Sequence, residues 1–217
     1  MISQIANIHL CPTEKAMENL NLEGINLNVH LVGNTIVDSH RLILNNGKVS
    51  SNIEELVDNT DEFYLCTLHR RENREYFIDM WNELNEIAEY KKIIYITHPS
   101  VQNSREYLSK KIEILKPINY QDMIYLIDKS KGVISDSGGI QEEVVCMKKK
   151  ILICRNNTER PETVSIGTNE IIGTNPDNIK PYMKTLFEHN WKKGSIPELW
   201  DGNTATRIIE IILGFEK

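Results

Sequence analysis

Short apolar runs of strand length alternate with helix-forming stretches along most of this chain, and that alternation constrains its fold more than any single motif does. Phe63-Tyr64-Leu65-Cys66-Thr67-Leu68 is nearly continuous in apolar character, the pattern of a parallel strand covered on both faces. Behind it, Phe77, Trp81, Leu84 and Ala88 recur at steps of three and four, which predicts a helix with one buried stripe. The alternation continues with strands at Ile93–Thr97 and Ile112–Leu115, a short helix at Met123–Ile127, a strand at Gly132–Ile134 and a helix through Met147. Strands at Ile151–Cys154 and Glu170–Ile172 and a helix at Ile179–Phe187 complete it. Right-handed crossovers turn such a series into an α/β fold with a doubly wound parallel sheet, whose ligands sit beyond the carboxyl ends of the strands.

The first residues carry shorter elements. Ile8–Cys11 reads as a strand, Thr13 as the cap of a helix Glu14–Leu22 that Gly24 stops, and Asn28–Val32 as a second strand. A helix follows Gly33-Asn34-Thr35, and the polar stretch from Asn45 to Ser51 marks a junction. The last helix, Ala205–Leu213, has Ile208, Ile209, Ile211, Ile212 and Leu213 around most of its circumference and needs partners on more than one side.

With 217 residues, 40% of them hydrophobic, the chain can bury a real core. Its formal charge of −6 argues against binding nucleic acid or an anionic membrane, so an anionic ligand must be met by local positive groups. Cys11, Cys66, Cys146 and Cys154 lack the paired spacing of a metal site. No signal-peptide pattern or long apolar span opens the chain, and the expected setting is a reducing cytoplasm.

Within that frame, Ile134-Ser135-Asp136-Ser137-Gly138-Gly139-Ile140-Gln141-Glu142-Glu143 turns from strand to helix through two glycines. Unpaired N–H groups and the positive end of the helix dipole make such a turn an anion site, and glycine lets a phosphate approach the backbone. Ser137 can add a hydroxyl, and Glu143, one turn in, can accept hydrogen bonds from ribose hydroxyls. The same residues also read as an ordinary loop in which Ser137 caps the helix. Further polar clusters follow other strands: His69-Arg70-Arg71-Glu72-Asn73, His98-Pro99, and Arg155 to Glu162. Arginines there can clamp a diphosphate, and a histidine can move a proton. A packed His69 and simple turn chemistry at His98 are the alternatives. Trp191, Trp200 and the remaining tyrosines read as packing or surface residues.

The motifs His69-Arg70-Arg71-Glu72-Asn73, Asp136 to Glu143 and Thr158-Glu159-Arg160-Pro161-Glu162, in this order, resemble those of the non-hydrolysing UDP-N-acetylglucosamine 2-epimerases. Lesser echoes are Cys11-Pro12-Thr13-Glu14, Val32-Gly33-Asn34-Thr35 and Asp201-Gly202-Asn203-Thr204-Ala205. The resemblance implies a GT-B architecture, two Rossmann-like domains with the nucleotide sugar between them. On this chain it implies a remnant of the N-terminal domain at residues 1–45, a UDP-binding Rossmann-like domain at 46–200 and a returning C-terminal helix at 201–217.

It also implies that Ser137, Gly138 and Gly139 hold the diphosphate of UDP, that Glu143 takes the ribose, and that Arg70 and Arg160 bind substrate. The resemblance makes His69 the expected catalytic residue, at the reacting end. Arg70 and His98 match positions of a second, activating UDP-N-acetylglucosamine. The reaction implied is inversion at C2 by elimination and re-addition of UDP, giving UDP-N-acetylmannosamine, with no cofactor or metal. The family's habit further implies a homodimer.

Three departures accompany the likeness. The chain begins inside the family pattern, so the acidic residues that move the C2 proton are expected on a separate N-terminal polypeptide. Met123 stands where an aromatic residue commonly packs on uracil. Between Tyr90 and Pro117 the segment is short, with Pro99-Ser100 after His98. The competing readings are a UDP-binding module without turnover and the donor-binding half of a GT-B glycosyltransferase.

Overall fold

Among the residues that the computed structural model describes, 2–101, 104–188 and 191–215, the apolar runs form eight strands, and every pairing between them is parallel. The chain divides into two compact units, one made of Met1–Asn46 with Ile196–Lys217 and the other of Gly47–Ser195. In the first, β1 (His9–Cys11) pairs with β2 (Val29–Leu31). The Thr13 side chain accepts from Ala16 N–H and so caps the helix Glu14–Leu22, and Gly24 leaves that helix with a left-handed φ of 79°. Residues 196–200 belong with this unit: the Trp200 indole N–H donates to the Pro12 carbonyl at 3.0 Å. The helix Thr204–Phe215 packs on the helix Thr35–Asn46, whose Asp38 carboxylate accepts from Ala205 N–H at 3.0 Å. Ile209, Ile212 and Leu213 on it remain exposed.

In the second unit, β3 (Phe63–Thr67), β4 (Lys92–Ile96), β5 (Glu113–Leu115), β6 (Gly132–Ser135), β7 (Ile151–Ile153) and β8 (Asn169–Ile171) form one sheet in the order β5-β4-β3-β6-β7-β8. Alternate residues feed two cores. Cys66, Ile134 and Leu152 meet Phe77, Met80, Trp81 and Leu84 on one face, while Leu65, Val133, Ile151 and Ile153 meet Ile53, Leu126, Ile140 and Val144 on the other. This double coverage is why the strands read as continuous apolar runs rather than as alternating ones.

The order runs outward from β3 in one direction and from β6 in the other, so the sheet's topological switch lies between these two strands. Their last paired residues are Thr67 and Ser135, so the two segments that leave the sheet here leave side by side. A helix not foreseen from the periodicity, Ser51–Asp58, is fastened by buried Asp122, which accepts from Ser50 N–H and Ser50 Oγ, both at 2.8 Å. Among the described residues no helix is long and apolar enough to cross a membrane.

Candidate functional site

The segments that leave β3 and β6 are knotted together by one carboxylate. Asp136 has no solvent exposure. It accepts from His69 N–H at 3.0 Å on both oxygens, and from Arg70 N–H and Asn73 Nδ2 at 2.9 Å on Oδ2. The Asn73 amide also donates to the carbonyl of Cys154 at 2.9 Å, which brings in the end of β7. A buried carboxylate is stable only when such donors surround it. Sequence reasoning gave Asp136 and Asn73 no role, although an aspartate between a buried strand and a glycine turn calls for partners of this kind.

Past Asp136 comes the helix Gly138–Cys146. Ser137 occupies its cap position, yet the side chain makes no capping bond, so the reading of Ser137 as a mere cap fails. A β-carbon added at Gly139 would meet no atom of the described residues within 4 Å; one at Gly138 would lie 3.4 Å from Arg70 Nη2 and 3.8 Å from Glu159 Oε2. Gly139 faces a cavity of about 410 Å³ that Ser137, Glu143, His69 and His98 also line. Its other walls include Ile96, Pro117, Ile118, Met123 and Ile140. Four expected site residues therefore share one space with His98, and Arg70 stands at the helix start.

The two histidine rings stack, with centroids 4.6 Å apart and planes 24° from parallel. Ser100 N–H donates to His98 Nδ1 at 3.1 Å, which leaves the His98 proton on Nε2. Nδ1 of His69 is buried and lies 3.4 Å from Asp136 Oδ1 without hydrogen-bond alignment. Burial lowers the His69 pKa; the Asp136 charge opposes this, and His98 and Arg70 reinforce it. The ring is thus neutral near pH 7.

Burial raises the pKa of Glu143, which is only 5% exposed, against a hydrogen bond from Tyr120, while Glu142 raises it further. Tyr120 corrects the reading of the tyrosines as packing or surface residues. The helix expected at Met123–Ile127 spans Tyr120–Lys129, capped by Asn119 Oδ1 accepting from Asp122 N–H at 2.8 Å, and this puts Tyr120 in the cavity wall. The Asn119 cap was the missed signal.

The loop after β7 behaves differently from expectation. Arg155, 3% exposed, is engaged by Glu72 at 2.8 Å and by both oxygens of Glu159 at 2.7 and 2.8 Å. Hydrogen bonding to Arg155 holds the Glu159 pKa down at about 2. Arg160 does not line the cavity; its Nε lies 2.8 Å from Glu142 Oε1, an ion-pair contact. Desolvation drives Arg155 to its partners, because a guanidinium out of water requires them. Among the described residues no cluster of three or more histidine, cysteine, aspartate or glutamate side chains is placed to hold a metal ion.

Comparison with known proteins agrees with the motifs. Residues 1–213 match the family model described as UDP-N-acetylglucosamine 2-epimerase. The UDP-N-acetylglucosamine 2-epimerase of Methanocaldococcus jannaschii is 31% identical over 231 residues, covering 98% of this chain and 62% of the relative. That of Campylobacter jejuni is 35% identical over 237 residues, with 98% and 62% covered. The crystal structure of the Neisseria meningitidis enzyme bound to UDP-GlcNAc superposes with a TM-score of 0.87 at 30% identity, again over 98% of this chain and 62% of that one. The chain therefore spans somewhat less than two thirds of the length of these relatives.

Proposed function

The chain belongs to the UDP-N-acetylglucosamine 2-epimerase family, and on that premise we propose that its second unit holds the nucleotide of UDP-N-acetylglucosamine for epimerisation at C2. The observation that carries this reading is the helix Gly138–Cys146 opening through Gly139 into a 410 Å³ cavity, beside a Ser137 hydroxyl not spent on capping. In this reading the diphosphate sits on the Ser137 hydroxyl and the amides of Gly138 and Gly139, with Arg70 adding charge at the helix start, while the Ser137 N–H donates to Ser135 Oγ at 3.1 Å. Glu143 receives the ribose, the apolar wall with Met123 and Ile118 covers uracil, and Arg160 joins the nucleotide by exchanging its contact with Glu142. His98 lines the same cavity as His69, which supports placing it with the substrate as well as with a second, activating nucleotide sugar.

The reaction removes the proton from C2 as the C1–O bond breaks, and UDP departs with the bonding electrons to leave a 2-acetamidoglucal. UDP then re-adds at C1 while a proton returns to C2 on the other face. The amides of Gly138 and Gly139, Arg70 and His69 hold the departed anion so that it can return. Of the described lining residues, Glu143 alone is a carboxylate, and it is bonded to Tyr120. We therefore assign the C2 proton to acidic groups of an N-terminal domain that this described lining does not include. A homodimer in the cytoplasm completes the proposal.

Titration calorimetry with UDP tests the nucleotide half. Glu143→Ala should weaken UDP by about 1–3 kcal/mol, the cost of leaving ribose hydroxyls unpaired in a dry site, and an unchanged affinity would count against the assignment. Exchange of the C2 proton of UDP-N-acetylglucosamine in D2O, with and without an N-terminal domain polypeptide, tests the other half. Exchange is expected with the polypeptide present. Its absence in both mixtures, with UDP still bound, would leave a binding module without turnover.

A further inference from the structure

The knot at Asp136 does more than hold a loop. Its Oδ2 accepts from Arg70 N–H, Asn73 Nδ2 and His69 N–H, whereas Oδ1 meets only His69 among the described residues: the shared N–H at 3.0 Å and ring Nδ1 at 3.4 Å. Nδ1 is buried and has no aligned hydrogen-bond partner among the described residues. A bare ring lone pair facing a carboxylate is repelled, while a ring N–H there is attracted. A neutral imidazole has one proton, and Nδ1 is where this environment puts it.

We propose that Asp136 is the positioning residue of this site: it fixes the His69–Asn73 loop through main-chain N–H groups and holds His69 as the Nδ1–H tautomer, so that Nε2 is the nitrogen offered to the ligand. The identity of that ligand rests on the nucleotide-sugar reading above; the tautomer rests on the protein alone. An unprotonated Nε2 accepts a proton or a hydrogen bond from whatever the cavity holds. Should it take a proton, the imidazolium would point Nδ1–H at the Asp136 charge, which stabilises it. The charged and titratable groups facing the ring are Asp136 from the turn after β6, His98 from the end of β4, and Arg70 from its own loop. The last two disfavour the imidazolium, so Asp136 is what keeps protonation within reach.

Long-range ¹H–¹⁵N correlation spectra of histidine-labelled protein, recorded from pH 5 to 8.5 and assigned with His69→Gln, test this. The expected result is an Nδ1–H pattern for neutral His69. In Asp136→Asn, which keeps one oxygen to accept from the loop, the Nε2–H form should gain population and the titration midpoint should move to lower pH. An Nε2–H pattern in the wild-type protein overturns the proposal, and that measurement decides the matter even if the variant does not fold. A folded variant with unchanged tautomer and midpoint also overturns it, because a purely architectural carboxylate would leave the ring's titration alone. If UDP fails to perturb the His69 signals while the Nδ1–H pattern is present, the nucleotide reading fails and the positioning role stands.

Discussion

The loops that follow β3 and β7 carry similar residues and spend them differently. In the first, Asp136 grips the backbone of His69 and Arg70, and Arg70 Nε makes no hydrogen bond among the described residues. In the second, Arg155 is consumed by Glu72 and Glu159, whereas Arg160, its side chain 40% exposed, makes an ion-pair contact with Glu142 that it can exchange. A motif's count of arginines therefore overstates the positive charge available to a ligand. What counts is whether the loop is fastened by its main chain, which leaves the side chains for chemistry, or by its guanidinium groups, which does not. At the start of the helix Gly138–Cys146 the positive field comes from the helix dipole and Arg70, and Glu159 partly offsets it.

The sharpest way to break this contrast is Arg155→Ala. It leaves Glu72 and Glu159 without their shared cation and opens a buried space, so it should destabilise the second unit by about 2–4 kcal/mol. That figure is near the low end for a buried pair, because both carboxylates are about half exposed (47% and 55%) and water compensates them. Urea denaturation measures it. A loss below about 0.5 kcal/mol would mean that Arg155 is as free as Arg70 and that the two loops are alike.

Gly139→Ala sharpens the other side. Its φ is not positive and the added methyl meets no protein atom, so stability should change by less than about 1 kcal/mol, and in the favourable direction for a helix. UDP affinity should nevertheless fall at least about tenfold, or ~1.4 kcal/mol, because the methyl stands on the proposed path of the phosphate. Equal UDP binding by the wild-type protein and the variant would remove the glycine from the proposed phosphate path.

The sequence made the sheet legible because double coverage writes continuous apolar runs, as at Phe63–Thr67 and Gly132–Ser135, and because ligands of such sheets gather at strand ends. It made His69, Ser137, Gly139 and Glu143 legible as neighbours for the same reason. It could not show that Arg155 and Arg160 are engaged elsewhere, since their partners Glu72 and Glu142 lie 83 and 18 residues away along the chain. Asp136 stayed without a role because its donors are main-chain groups, which carry no sequence signature. Tyr120 was hidden by a helix start placed three residues late.

The smallest expected effect concerns protons, and it sets the two loops apart once more. At pH 7 His69 is neutral in the folded protein and mostly neutral in the unfolded chain, so it contributes little to the pH dependence of stability there. As the pH falls through the ordinary histidine value near 6.5, the unfolded chain gains a proton that the folded ring, with its lowered pKa, still refuses. Stability is lost over that window and stops falling once the pH has passed the lowered folded pKa. For one histidine the loss between pH 7 and pH 6 is at most about 0.7 kcal/mol. It should be visible as the difference between the wild-type protein and His69→Gln, which removes the titration. Glu159, fastened in the other loop, gives its stability up only between its ordinary carboxylate range and about pH 2, so its window opens at lower pH than that of His69. On the proposed reading UDP reverses the sign at His69, because a diphosphate placed beside the ring would favour the imidazolium. Binding should then take up a proton and tighten as the pH falls from 7.5 to 6, and calorimetry in buffers of different ionisation enthalpy reads this uptake directly. Uptake that persists undiminished in His69→Gln would place the anion beside some other group.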